Sequence, residues 1–281
     1  MGMIKRNIPL IILLILLAAW AIFLDKTADV FVFGFQRNEY SYHPAFKEEA
    51  FRTADDSILT ALYAPAKKGH PTILVFHGNK QNIYTFQNLM APYVQEGFGV
   101  LIFDYRGYGR SEGSPSETNM NEDGLAALNY LMEKKLISPQ EIILWGFSLG
   151  SSPALYTASE HKDWPFKAII LQSPFTNITD MAFYTLARRD RNSFLAPILS
   201  VFLKPLLWDK QFDTTQYLGN IFVPMLIGSS MEDKVVPFTL SNAVAAAAPI
   251  NVRTFTAERG EHDNPIWFQS SVEDFVKQLS K

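Results

Sequence analysis

Short apolar runs alternate with helix-like stretches from about residue 45 onward, and this alternation constrains the fold more than any other feature. The apolar runs fall at 50–53, 58–64, 72–76, 99–104, 142–145, 168–172, 223–227 and 252–256. The first two, separated by Ala54-Asp55-Asp56-Ser57, predict an antiparallel hairpin. Helical patterns, such as 120–135 and 239–247, lie between most of the others. Strands this uniformly apolar need cover on both faces, which crossover helices between parallel neighbours supply. The expected class is therefore α/β, with a mainly parallel central sheet flanked by helices. A chain of 281 residues suits one large domain of that kind. In such sheets the chemistry collects at the carboxyl ends of the strands.

One of those ends reads Leu144-Trp145-Gly146-Phe147-Ser148-Leu149-Gly150. A capped turn of small residues has the same look. Between a buried strand and the helical pattern 149–160, however, the motif has a mechanism. A one-residue corner strains the serine backbone and lifts its hydroxyl clear of the sheet, and flanking glycines avoid the Cβ clashes of so tight an approach.

A serine hydroxyl is a weak nucleophile and needs an adjacent base oriented by a third group. The chain has five histidines. His43 precedes the core, His70 lies in a turn before a strand, and His161 ends a helix. His77 directly follows the strand 72–76, and we read it as structural, holding its loop. His262 lies between the last strand and the last helix, at a strand's carboxyl end and late in the chain. Asp233 stands just beyond the strand 223–227. The order Ser148, Asp233, His262 is the one expected when a nucleophile sits on a strand-to-helix elbow.

The N-terminus is a separate piece. Residues 8–24 are almost wholly apolar, preceded by Lys5 and Arg6 and followed by Asp25, Lys26 and Asp29. As a helix they span about 26 Å, a little short of a ~30 Å hydrocarbon core but within the usual range. The charge pattern predicts residues 1–7 in the cytoplasm, a single-pass anchor at 8–24 and an extracytoplasmic catalytic domain. Ala19-Trp20-Ala21 also fits a signal-peptidase site, which would release an exported soluble protein. Residues 25–44 are expected to be a membrane-proximal segment and 45–281 the catalytic domain.

Composition excludes several functions. Without cysteine there is no disulfide, no thiolate nucleophile and no sulfur-ligated metal. A net charge of −3 and no Lys/Arg run argue against a general nucleic-acid binder. No motif implies a metal or an organic cofactor. Nothing in the pattern specifies an oligomeric state.

At this point a family resemblance emerges. Phe76-His77-Gly78-Asn79, Asp104-Tyr105-Arg106-Gly107-Tyr108-Gly109, the elbow through Pro153, Asp233-Lys234-Val235-Val236-Pro237 and Gly260-Glu261-His262 are similar to segments of the α/β-hydrolase superfamily. The chain most resembles its membrane-anchored branch of acylglycerol lipases and protein depalmitoylases, over roughly residues 50–281. The resemblance implies a serine hydrolase of carboxylic esters or thioesters, with a catalytic triad of Ser148, His262 and Asp233 and an acyl-enzyme intermediate. It implies an oxyanion hole from the backbone N–H of Leu149 and of Asn79. Two departures stand out. Lys80 and Gln81 replace small residues at the mouth, and five steps separate Gly228 from Asp233 where about three are usual. Glu232 and Asp180 are therefore alternatives for the acid. The segment 104–112, with Gly107, Gly109 and Arg106, is expected to be architectural.

Between about 176 and 220 the alternation breaks, in a stretch that resembles a helical cap. Its residues Phe194, Phe202, Leu206 and Trp208 are candidates for an apolar wall against an acyl chain; completion of the core is the other reading. The expected partners are an acyl ester or thioester, with lipids among the candidates, and a membrane. Acyl transfer to an alcohol uses the same site, and a non-catalytic binding protein can keep the same fold. Labelling by a fluorophosphonate separates the last of these from an enzyme.

Overall fold

The computed structural model describes residues 16, 19–20, 22–30, 32–34, 41–189, 207–249, 252–263 and 265–279. Eight strands form one sheet: β1 (Lys47–Arg52), β2 (Ile58–Ala64), β3 (Thr72–Phe76), β4 (Gly99–Phe103), β5 (Ile142–Phe147), β6 (Ala168–Gln172), β7 (Met225–Ser230) and β8 (Val252–Ala257). Their order is β1-β2-β4-β3-β5-β6-β7-β8. The β1/β2 and β2/β4 pairs are antiparallel, and every pair from β4 through β3 to β8 is parallel. The expected hairpin, Ala54–Ser57 turn included, is therefore the antiparallel edge of a parallel sheet.

The connecting helices are α1 (Ile83–Glu96), α2 (Glu117–Asn129), α3 (Ser151–Glu160), α4 (Ile178–Arg189), α5 (Thr215–Leu218), α6 (Phe238–Ala247) and α7 (Gln269–Leu279). Local chemistry starts and stops them. Asn82 and Thr85 form a capping box at the head of α1, and Gly97 ends it at φ 113°. Ser116 caps α2 through the Asn119 N–H. The helix expected over 120–135 starts three residues earlier and widens into a π-type turn at Tyr130–Lys134.

Alternate residues of the central strands go to opposite faces. Leu74, Phe76, Leu101, Phe103 and Leu144 pack into one core cluster, and Ile73, Val75, Val100, Ile102, Ile143 and Trp145 into the other. All of β3, β4, β5 and β6 is buried.

Three departures from expectation bear on the site. Strand β7 begins two residues late and runs on to Ser230, pairing Ser229 with Thr256 and Ser230 with Ala257. Gly228 thus lies inside the strand, where an added Cβ would sit 2.2 Å from the Phe268 ring. The long step from Gly228 to Asp233 is a longer strand, not a longer loop. Second, Ala28, Val32 and Phe33, in the segment expected only to adjoin the membrane, are buried in the first core cluster. Third, the 176–220 stretch begins with α4 and ends with α5, while Phe194, Phe202 and Leu206 lie outside the described residues. Most of the run 8–24 lies outside them too. Among the described residues, no helix is long and apolar enough to cross a membrane.

Candidate active site

Strand β5 delivers Phe147 in extended conformation, and Ser148 then turns to φ 51°. A positive φ is uncommon for a residue with a Cβ and is sustained only where the surroundings over-determine it. They do so here. A Cβ on Gly150 would lie 2.2 Å from the Phe76 carbonyl oxygen and 2.5 Å from that of His77. One on Gly146 would lie 2.6 Å from the Ser151 Cα. The elbow is pressed against the end of β3 on one side and against its own helix on the other. Glycine at 146 and 150 is what lets Ser148 stand at this corner.

Ser148 faces a cavity of about 690 Å³ that also touches Leu149, Asn79, Lys80, Gln81, Lys234 and His262. Leu149 follows the serine in a short 3-10 turn, Ser148–Gly150, that leads into α3. Asn79 comes from the β3–α1 loop. That loop is held from within. The His77 Nδ1–H donates to the Gly78 carbonyl at 2.9 Å, and the Gly78 N–H donates to Gln81 Oε1 at 3.0 Å. Since a carbonyl can only accept, this bond fixes the His77 tautomer. His77 is fully buried, with Tyr105 and Tyr108 edge-on at 4.5 and 5.2 Å. Burial lowers its pKa to about 4 against the weaker pull of the Gly78 bond, so it is neutral.

His262 is placed differently. Its Nδ1 lies 2.7 Å from Asp233 Oδ2, and its ring packs 5.0 Å from that of Phe147. The carboxylate accepts, so Nδ1 carries a proton. Asp233 also accepts from Ser173 Oγ at 3.0 Å and from the Val235 and Val236 N–H groups at 2.8 and 2.9 Å. Burial alone would raise this carboxyl. The His262 bond and charge, with the two backbone donors, outweigh that and hold it below its ordinary value.

The two alternatives for the acid sit elsewhere. Glu232 is exposed. Asp180 is bound locally at the head of α4, accepting from Thr176 Oγ1 and from Asn177 Nδ2 at 2.9 Å. The segment 104–112 ties loops together through Arg106. Its side chain meets Asp123, Asp55 and Glu122 at 2.7, 2.7 and 2.8 Å, while Gly107 and Gly109 turn the chain at φ 80° and 49°.

The apolar side of the cavity comes from Met181 in α4, one of the apolar residues of the stretch expected to form a cap, and from three residues that the sequence reading passed over: Phe175 just before α4, Ile178 at its head, and Val32. Trp208 does not line it. That side chain is 76% exposed and borders a shallow hollow with Asn177, Thr179, Asp180 and Gln211. Its neighbour Leu207 is the residue turned into the core, 3% exposed, which leaves Trp208 on the outer side of the chain. The position of Phe175, Ile178 and Met181 after a strand's carboxyl end was a usable signal. Val32 had none.

Known proteins bear on this arrangement. The alpha/beta hydrolase fold family matches residues 71–203. An uncharacterised protein of Mycobacterium tuberculosis is 30% identical over 224 residues, 79% of this chain and 74% of its own length. The lysophosphatidylserine lipase ABHD12 of Danio rerio is 32% identical over 191 residues, 62% of this chain, so the match spans only 46% of that relative. An esterase of Pyrococcus furiosus superposes with a TM-score of 0.66 at 20% identity, over 88% of this chain and 97% of its own, a likeness of fold alone. The sheet, the elbow and the flanking helices define an α/β hydrolase. This chain belongs to that superfamily.

Proposed function

We propose that this protein is a serine hydrolase that cleaves carboxylic esters or thioesters of acyl substrates. One observation carries the reading. The strained Ser148 shares a cavity with a histidine whose Nδ1–H is committed to a buried aspartate. The Ser148 hydroxyl oxygen attacks the acyl carbonyl carbon while His262 Nε2 takes the proton. Asp233 keeps the imidazole in that tautomer and stabilises its charged form. The backbone N–H of Leu149 and of Asn79 serve the oxyanion. His262 returns the proton to the departing alcohol or thiol, and then draws one from the water that hydrolyses the acyl-enzyme.

The substrate class we favour is lipid-like. The cavity sets Phe175, Ile178, Met181 and Val32 beside the serine. Leu16, Trp20, Ile22 and Phe23, helical residues that precede Val32 in the chain, are each about 60% exposed, which suits an apolar surface around them. With the charges flanking 8–24, this supports a single-pass anchor, N-terminus in the cytoplasm and catalytic domain outside it. The relative named a lysophosphatidylserine lipase and an uncharacterised membrane protein of Saccharomyces cerevisiae, 30% identical over 74% of this chain and 70% of its own length, agree with that choice.

The test is covalent. A fluorophosphonate probe should label the wild-type protein and leave Ser148→Ala unlabelled. The same substitution should lower ester turnover by about 10⁴-fold or more. Labelling or near-wild-type turnover in folded Ser148→Ala would refute the reading.

A further inference from the structure

The N-terminal helix reaches the rim of the cavity and is fastened there. It is described over 22–30 and 32–33, and Val32 lines the cavity with Ser148, Leu149 and His262. Val32 and Phe33 are 2% and 1% exposed, so this end is packed as tightly as the sheet. The Phe33 carbonyl accepts the Tyr108 hydroxyl at 2.5 Å, and its ring meets Phe212 edge-on at 6.0 Å. Gly34 ends the helix at φ 50°. A Cβ there would lie 2.4 Å from both Asn79 Oδ1 and Lys80 Cγ, so the chain leaves the helix directly against the β3–α1 loop.

The fastening is ionic. Lys210 Nζ donates to Asp25 Oδ1 at 2.8 Å, lies 3.4 Å from Asp29 Oδ1, and donates to Asp209 Oδ1 at 2.9 Å. The lysine side chain is 6% exposed, so the amine has exchanged water for carboxylates, two of them on the helix. A segment serving only as a tether has no reason to place an apolar side chain beside the nucleophile or to bury a lysine on its carboxylates.

We propose that the end of this helix is one wall of the acyl site, with Val32 a specificity-determining residue for the acyl chain and Lys210 the positioning residue that holds the wall in place. The inference rests on the hydrolase reading above and goes beyond it. Long acyl groups lie against Val32 and short ones stop before it, so the side chain acts on discrimination between chain lengths.

The experiment uses the full chain in detergent and p-nitrophenyl esters from acetyl to dodecanoyl, with fluorophosphonate labelling and melting temperature measured on every variant. Val32→Phe should lower the ratio of kcat/KM for long over short esters by about tenfold, the equivalent of one or two methylenes that no longer find room. Val32→Ala should move the preferred chain length upward, and it carries the ratio independently if the larger side chain unfolds the protein. Lys210→Ala should raise KM for the long esters more than it lowers kcat, and Lys210→Arg should restore the wild-type ratio. Labelled, folded Val32 variants with the wild-type ratio would overturn the inference and leave the hydrolase reading intact. No labelling and no hydrolysis by the wild type would overturn both.

Discussion

Two histidines stand at carboxyl ends of strands, each with a buried aspartate beside it, and they differ in how many donors that aspartate receives. His77 Nε2 lies 3.6 Å from Asp104 Oδ1, beyond a hydrogen bond, and both side chains are fully buried. Asp104 takes the Ile83 N–H at 2.9 Å and is also approached by the Arg110 backbone N–H, while its Oδ2 has no hydrogen bond among the described residues. Burial dominates there, against the Ile83 bond and the charge and backbone N–H of Arg110, and pushes the carboxyl up to about 7. Asp233, whose side chain is 1% exposed, takes four donors, from His262, Ser173, Val235 and Val236, and is held below its ordinary value. Two carboxyls shut off from solvent, Asp104 the more deeply, are therefore shifted in opposite directions. What separates a carboxylate able to orient a base from an acid near neutrality is the set of donors aimed at it, weighed against the depth of its burial.

The sharpest way to break the comparison is to neutralise each aspartate in turn. Asp233→Asn should keep the fold and lower kcat by about 10⁴-fold, because the amide presents a donor to His262 and selects the wrong tautomer. Asp104→Asn keeps an oxygen for the Ile83 N–H and should leave kcat within about tenfold of wild type. Steady-state kinetics on both, corrected for folded fraction, decide. A larger loss from Asp104→Asn would mean that the roles of the two pairs are reversed.

Stability against pH tests the same contrast. A carboxyl raised from 3.8 to about 7 binds more protons folded than unfolded in that window. Its stabilisation is complete below about 4 and lost as pH rises through about 7. The stability of Asp104→Asn relative to wild type should thus grow between those limits, by up to about 4 kcal/mol. Asp233, being depressed, works in the opposite sense, its contribution lost as pH falls through its folded value. Denaturant midpoints across the range measure the gap, and a gap independent of pH would show that Asp104 is ionised throughout.

The smallest expected effect sharpens the donor count. Ser173→Ala removes one of the four donors to Asp233 and should lower kcat by about 1–2 kcal/mol of activation free energy, roughly tenfold. If kcat does not change, the backbone N–H groups of Val235 and Val236 suffice to orient the carboxylate.

Much of this molecule is legible along the chain. The strands can be read because parallel strands buried on both faces must be apolar throughout. The elbow can be read because only glycine tolerates carbonyl oxygens 2.2 and 2.5 Å from a would-be Cβ, as at Gly150. His262 and Asp233 can be read from their places after β8 and β7. Those features are local: each states its requirement within a few residues.

The rest was decided by contacts between distant segments. The length of β7 depends on its pairing with β8 through Ser230 and Ala257, so five steps from Gly228 to Asp233 still bring the carboxylate to His262. Asp180 and Asp233 are chemically alike, and only their packing separates a helix-head acceptor from a histidine's partner. Leu207 and Trp208 are both apolar neighbours, and the way their strand of chain lies on the core decides which is buried. Val32, in a segment that reads as the approach to a membrane, joins the cavity because Lys210, Tyr108 and the β3–α1 loop hold it there. Burial is a property of the assembled surface, and a residue's own neighbours in sequence carry no record of what the fold will bring against it.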